Sequence, residues 1–227
     1  MEVLEMTSKA VHIPDPWDPE PRWPAIIAIV AVAGLYAALP SYLVLGPRWM
    51  FVMLVVVLLI PTVISHIKDY HALNRVLGFT VSGVLTVGMI GSVVLLISGL
   101  PSHRETSTEL LTSAAALWFT NVLVFALWYW RLDAGGPHGR DRTAGHQYGA
   151  FLFPQMTLPP DLKAEVGEHY WSPNFIDYLF LAFNTSTAFS PTDVPVLARW
   201  AKFLMMVQAS ISLTVLALLA ARAVNIL

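Results

Sequence analysis

Residues 177–194 read Asp-Tyr-Leu-Phe-Leu-Ala-Phe-Asn-Thr-Ser-Thr-Ala-Phe-Ser-Pro-Thr-Asp-Val, and a long apolar run from Trp200 follows almost at once. The apolar and hydroxyl residues end abruptly at Ser190-Pro191-Thr192-Asp193. The stretch is short for a membrane-crossing helix, which takes ~20 residues, and too apolar for a surface loop. Irregular backbone at bilayer depth persists only where protein covers it or water fills a cavity. The segment is therefore expected to enter the bilayer as a short helix and turn back.

The rest of the chain has the composition of a membrane protein. Of 227 residues, 56 % are hydrophobic and 12 % charged, with the apolar residues in long uninterrupted blocks. Helices that are apolar all round belong in lipid. A net charge of −2 gives no footprint for nucleic acid, and the absence of Cys excludes disulfides and thiol chemistry. Residues 1–23 are acidic and rich in proline, without the basic start of a signal peptide, and read as an uncleaved, poorly ordered tail.

Four spans are expected before the diagnostic segment: Pro24–Leu45, Met50–Ile67 (with Pro61 inside it), Val76–Gly99 and Leu110–Trp130. Trp23, Trp49 and the Trp128-Tyr129-Trp130-Arg131 cluster stand at predicted ends, where amphipathic rings favour the headgroup zone. Gly88 and Ser92 have the spacing of close helix packing. Residues 133–172 form the one long polar connection, broken by glycines and prolines, and its Phe151–Met156 patch is expected to fold back on the bundle. The division is thus a tail (1–23), three N-terminal spans (24–109) and a C-terminal region (110–227).

No nucleophile elbow, zinc-protease pair or phosphate-binding glycine loop occurs, so neither an enzyme nor a cofactor is expected. His66 and His71 are too far apart for one helical face, and His138, His146 and His169 lie in loops, so no metal site is expected. Within the spans the polar groups are few. Asn121 and Gln208 each suit a hydrogen bond across helices, and Arg222 can snorkel to the interface.

Aligned without gaps, residues 177–194 resemble the pore loop of tetrameric potassium channels (Asp-Ala-Leu-Tyr-Phe-Ser-Phe-Val-Thr-Leu-Thr-Thr-Val-Gly-Tyr-Gly-Asp-Val). Asp177, Leu179, Phe183, Thr185, Thr187, Asp193 and Val194 match, and Phe180 keeps an aromatic ring. The resemblance implies an outer helix 110–130, a pore helix Phe175–Ser186, a filter 187–193 and an inner helix 199–226. It also implies a homotetramer that passes monovalent cations. Ser190 and Thr192 stand at the two filter glycines and Pro191 at the tyrosine. Those glycines let successive carbonyls face the ion, which Ser, Thr and Pro resist. The expected passage is wider and weakly selective, lined by Thr185, Thr187, Ala188, Phe189, Ser190, Pro191 and Thr192, with Asp193 as an acidic ring at its mouth.

A second resemblance covers nearly the whole chain. Trp128-Tyr129-Trp130, Phe-Leu-Phe-Pro-Gln-Met (151–156), Ala-Phe-Ser-Pro-Thr-Asp (188–193) and Ala-Arg-Ala-Val-Asn-Ile-Leu (221–227) are similar to an uncharacterised bacterial membrane family of unknown function. It implies a multi-pass protein of the bacterial inner membrane.

The expected fold is all-α: five transmembrane helices and a re-entrant pore-helix segment before the last, with six spans as the alternative. In a channel's orientation, ten basic residues fall outside and only Arg48, Arg104 and Arg222 inside, against the positive-inside rule. Six spans with a cytoplasmic N-terminus give nine inside and four outside. The alternative function is a non-conducting bundle that acts as a scaffold or sensor.

Overall fold

A computed structural model describes residues 19–99, 107–142, 149–165, 171–188 and 194–224. The described chain is helical: α1 (Trp23–Ala38), α2 (Arg48–Ile67), α3 (His71–Gly99), α4 (Ser107–Leu132), α5 (Pro137–Arg140), α6 (Pro154–Thr157), α7 (Pro160–Glu165), α8 (Phe175–Ala188) and α9 (Arg199–Val224). The only pairing of extended backbone among these residues is an isolated antiparallel bridge between Phe151 and Val196.

Four helices, α2, α3, α4 and α9, are long and apolar enough to cross a membrane. The first expected span is shorter than its apolar run. Pro40 biases the residue before it towards extended backbone, and Leu39 takes ψ 148°, so α1 stops at Ala38 after 16 residues. Pro61 sits inside α2 without ending it. The polar connection contains α5, α6 and α7, each too short to form one continuous helix, as its glycines and prolines predict.

Helix α4 is the centre of the bundle and packs on α1, α3, α8 and α9. Its Leu117, Val124, Ala126 and Leu127 are buried among them. On the opposite flank, α2 and α3 pack through small residues, as the Gly88 spacing predicts. A Cβ on Gly88 would lie 2.5 Å from the Phe51 ring, which is itself stacked on Tyr36 at 3.9 Å between centroids. Gly88→Val is therefore expected to cost about 1–3 kcal/mol through overpacking, measured as a lower unfolding midpoint in detergent. An unchanged midpoint would show that Phe51 has room to retreat.

The aromatic cluster ending α4 differs from the expected interfacial anchor. Trp23 and Trp49 are exposed, as a belt requires, but Tyr129 and Trp130 are buried. Their polar atoms have partners inside the protein: the Tyr129 hydroxyl donates to Gln208 Oε1, and the Trp130 indole donates to Glu20. Trp128 also donates inward, to Thr86 Oγ1 at 2.8 Å. A buried ring whose N–H or O–H is satisfied gains more from packing than from the headgroup zone.

One end of the bundle collects most of the polar connections. Arg22, just before α1, pairs with Asp141, just after α5. His138 of α5 meets Asn74 of α3 at 3.1 Å. Phe151 touches both Tyr178 in the first turn of α8 and Trp200 at the start of α9. The end of α4 and the beginnings of α1, α3, α8 and α9 therefore share this face.

Candidate functional site

Helix α8 is well specified at its start. Asn174 Oδ1 accepts from the Ile176 N–H, and Asp177 Oδ2 accepts from the Asn174 N–H, both at 2.8 Å. This reciprocal cap satisfies two donors that a helix leaves open. Phe175, Tyr178, Leu181, Ala182, Thr185 and Ser186 form its buried side. Ile176, Phe180 and Phe183 face outward.

Gln208 of α9 holds that buried side in place. Fully buried, its Nε2 donates to the Ala182 carbonyl at 2.7 Å and to Ser186 Oγ at 2.8 Å. Its Oε1 accepts from the Tyr129 hydroxyl of α4 at 2.5 Å. One turn deeper, Asn121 of α4 donates to the Gln208 backbone carbonyl at 3.1 Å and to Ser212 Oγ at 2.8 Å. Asn121 and Gln208, which look isolated in the sequence, thus belong to one network joining α4, α8 and α9. Buried as they are, these polar groups leave an unsatisfied donor or acceptor behind when a partner is lost.

A second polar centre fixes the same helices at the loop face. The Asp133 carboxylate, fully buried, accepts from the Tyr178 hydroxyl of α8 at 2.7 Å and from the Ala150 N–H. Arg140 donates to the Trp130 and Asp133 carbonyls at the end of α4 and to Glu20. Burial pulls the Arg22 guanidinium below its ordinary pKa, while Asp141 and Glu20 pull it back up.

Along α9, Gln208 lies ~14 Å from Arg199; along α8, Ala182 and Ser186 lie ~11 and ~17 Å from Phe175. The two helices run side by side from a common level. Beyond the bridge, the Leu152 N–H donates to the Pro195 carbonyl at 3.0 Å and the Leu197 N–H to the Ala150 carbonyl at 2.8 Å. Phe151 and Phe153, 1 % and 3 % exposed, lie under this contact, so the apolar patch of the polar connection does fold back on the bundle.

The residues expected to line a passage divide three ways. Thr185 is buried, and its hydroxyl donates to the Leu181 carbonyl of its own helix at 2.8 Å. Thr187 and Ala188 are exposed at the last turn of α8, with the Thr187 hydroxyl donating back to Phe183 O at 3.0 Å. Phe189, Ser190, Pro191, Thr192 and Asp193 lie outside the described residues. Among the described residues no cluster of His, Asp or Glu suited to a metal ion occurs. His66, His71 and His138 nevertheless approach one another, the last two rings at 4.7 Å, although the sequence reads them as separate solvated loop residues. No protein-family model matches the chain, and no curated protein or solved structure matches it either.

Proposed function

We propose that this is a pore-loop membrane protein of the bacterial inner membrane, in which α8 and residues 189–195 form a re-entrant segment. The observation that carries the reading is the shared level of the α8 and α9 starts. Helix α8 rises ~21 Å over its 14 residues. The six peptide steps from Ala188 to Val194 reach at most ~22 Å. That is enough to bring the chain back to Phe151, and a sixth crossing would need a second return across the membrane. In this reading α4 is the outer helix, α8 the pore helix and α9 the inner helix, with α1, α2 and α3 completing five spans.

The loop face holds ten of the thirteen basic residues if residues 1–22 lie on the side from which α1 starts. The positive-inside rule then favours a cytoplasmic loop face, and the segment dips from the cytoplasm, opposite to a potassium channel. The earlier conflict of charge with re-entry disappears.

Function follows as weakly selective cation conduction by four copies, with Thr187 and Asp193 facing the passage. Purified protein in planar bilayers is expected to carry cation current that falls severalfold in Asp193→Asn, because a ring of carboxylates concentrates cations. Sealed bilayers with a monomeric mass in detergent would end the conducting reading. Because the chain has no Cys, single-Cys variants Asn174→Cys and Pro195→Cys are expected to label from the same side. Labelling from opposite sides would reject re-entry itself. A non-conducting scaffold is the second reading, favoured by the inward turn of Thr185 and Ser186, whose hydroxyls are already engaged within one subunit.

A further inference from the structure

We propose that the cleft between the start of α3 and the α4–α5 turn binds a phosphate oxyanion. The cleft has a volume of about 360 Å³ and is lined by Arg75, Arg131 and Arg142 together with His71, Asn74 and His138. That volume lies at the low end of the ~300–1,000 Å³ range of small-molecule sites. No Asp or Glu lines it among the described residues. Asp141, which precedes Arg142 in the chain, is already engaged by Arg22 and by the Glu20 N–H.

Arg131 is the decisive group. It is 9 % exposed, its Nε is buried without a hydrogen-bond partner, and its guanidinium makes no ion pair among the described residues. The guanidinium lies over the Trp130 ring, 5.1 Å from its centroid. A buried cation left in this state is costly unless an anion completes it. The four other arginines of this region divide differently: Arg22 and Arg140 are paired with Glu20 and Asp141, whereas Arg75 and Arg142 are exposed at the rim.

The backbone is shaped around that guanidinium. A Cβ on Gly78 would lie 1.9 Å from Arg131 Nη1, so the glycine in α3 is what gives the side chain its seat. Gly136, at φ +78°, lets the turn after α4 pass close above the Arg131 carbonyl, where a Cβ would approach to 2.7 Å. His71 and Ala72 open α3, so the positive end of a 29-residue helix adds to the field. Arg75 and Arg142 are exposed, where their forked donors suit a phosphate bidentately.

The same chemistry has two sources: the headgroup of an anionic phospholipid or free phosphate. Exposed Leu73 and Val76 flank the α3 side of the cleft, and Phe79 forms part of its wall, which suits a headgroup with its chains against the bundle. Native mass spectrometry of the protein from nanodiscs of phosphatidylcholine, with and without phosphatidylglycerol, reads the lipid arm. Thermal unfolding in detergent with inorganic phosphate reads the soluble arm.

Selective retention of phosphatidylglycerol supports a headgroup site, and a phosphate-dependent rise in midpoint without lipid selectivity supports free phosphate. In either arm Arg75→Gln/Arg142→Gln is expected to weaken binding about tenfold, the loss of charge-assisted bonds at an anion. Gly78→Ala, which pushes the Arg131 guanidinium from its seat, is expected to weaken it as well. Arg131→Gln is the direct test. If it does not fold, the rim double variant and Gly78→Ala decide. Absence of both signals in the unaltered protein, or equal binding in the rim variant and Gly78→Ala, overturns the proposal.

Discussion

Gln208→Leu is expected to lower the stability of the protein by about 2–4 kcal/mol, because three buried hydrogen bonds are lost together. Leucine fills much of the same volume, so the loss isolates the polar contribution. The Ala182 carbonyl and the Ser186 hydroxyl lose a donor, and the Tyr129 hydroxyl loses its acceptor, all in buried positions. Asn121 is not affected in the same way, since it bonds the Gln208 backbone carbonyl and Ser212, which the substitution leaves in place. The contacts between α4 and α9 should therefore survive while α8 loosens.

That asymmetry gives the measurement. Unfolding by sodium dodecyl sulfate reads the total loss, and reactivity of Ala188→Cys in the Gln208→Leu background reads the release of α8. Ser186→Ala alone removes one of the three bonds and should cost about 1 kcal/mol. The Ser186/Gln208 pair should show coupling in a double-mutant cycle. Full stability in Gln208→Leu would mean that apolar packing alone seats α8. The network would then be incidental to the placement of α8.

The long helices were legible because each is an apolar block bounded by proline, glycine or charge, and α2, α3, α4 and α9 fall close to the expected limits. What the sequence hid is partnership across distance. The Trp128-Tyr129-Trp130 pattern has two physical solutions, an interfacial belt or internal donors. The choice depends on Glu20, 110 residues from Trp130, and on Gln208, 79 residues from Tyr129. Asn121 and Gln208 looked solitary for the same reason, being 87 residues apart. In the sequence Arg131 stands beside the aromatic residues at the end of a span, among the basic residues of the loop face, and only the fold closes Gly78 over it. The expected filter is a different case: Thr185 turned inward because its face of α8 packs on α4 and α9, and residues 189–193 fall outside what the structure describes.

Glu20→Ala is expected to have the largest effect, about 3–5 kcal/mol, since removing one partner of a buried ion pair leaves the other charge uncompensated. Glu20 lies inside the stretch expected as a loose tail, yet its side chain is only 8 % exposed. One carboxylate oxygen accepts from the Trp130 indole, and the other accepts from Arg140 Nη2 at 2.8 Å and Nε at 3.2 Å and from Arg22 Nη1 at 3.3 Å. Without it, Arg140 keeps, among the described residues, the Trp130 and Asp133 carbonyls as acceptors for a guanidinium whose side chain is 1 % exposed. Arg140 also sits over the Tyr178 ring at 5.0 Å, beside the Tyr178–Asp133 hydrogen bond that holds the first turn of α8. The damage should therefore reach α8 as well as α1, raising the reactivity of Asn174→Cys along with the loss of stability. Glu20→Gln, which keeps an acceptor but not the charge, should fall between. Combining Glu20→Gln with Arg140→Met removes both charges and should recover part of the loss, as apolar replacement of a buried pair often does. If Glu20→Gln alone keeps full stability, the contribution of Glu20 lies in its hydrogen bond to Trp130 rather than in its charge, and Trp130→Phe should reproduce the Glu20→Ala loss alone.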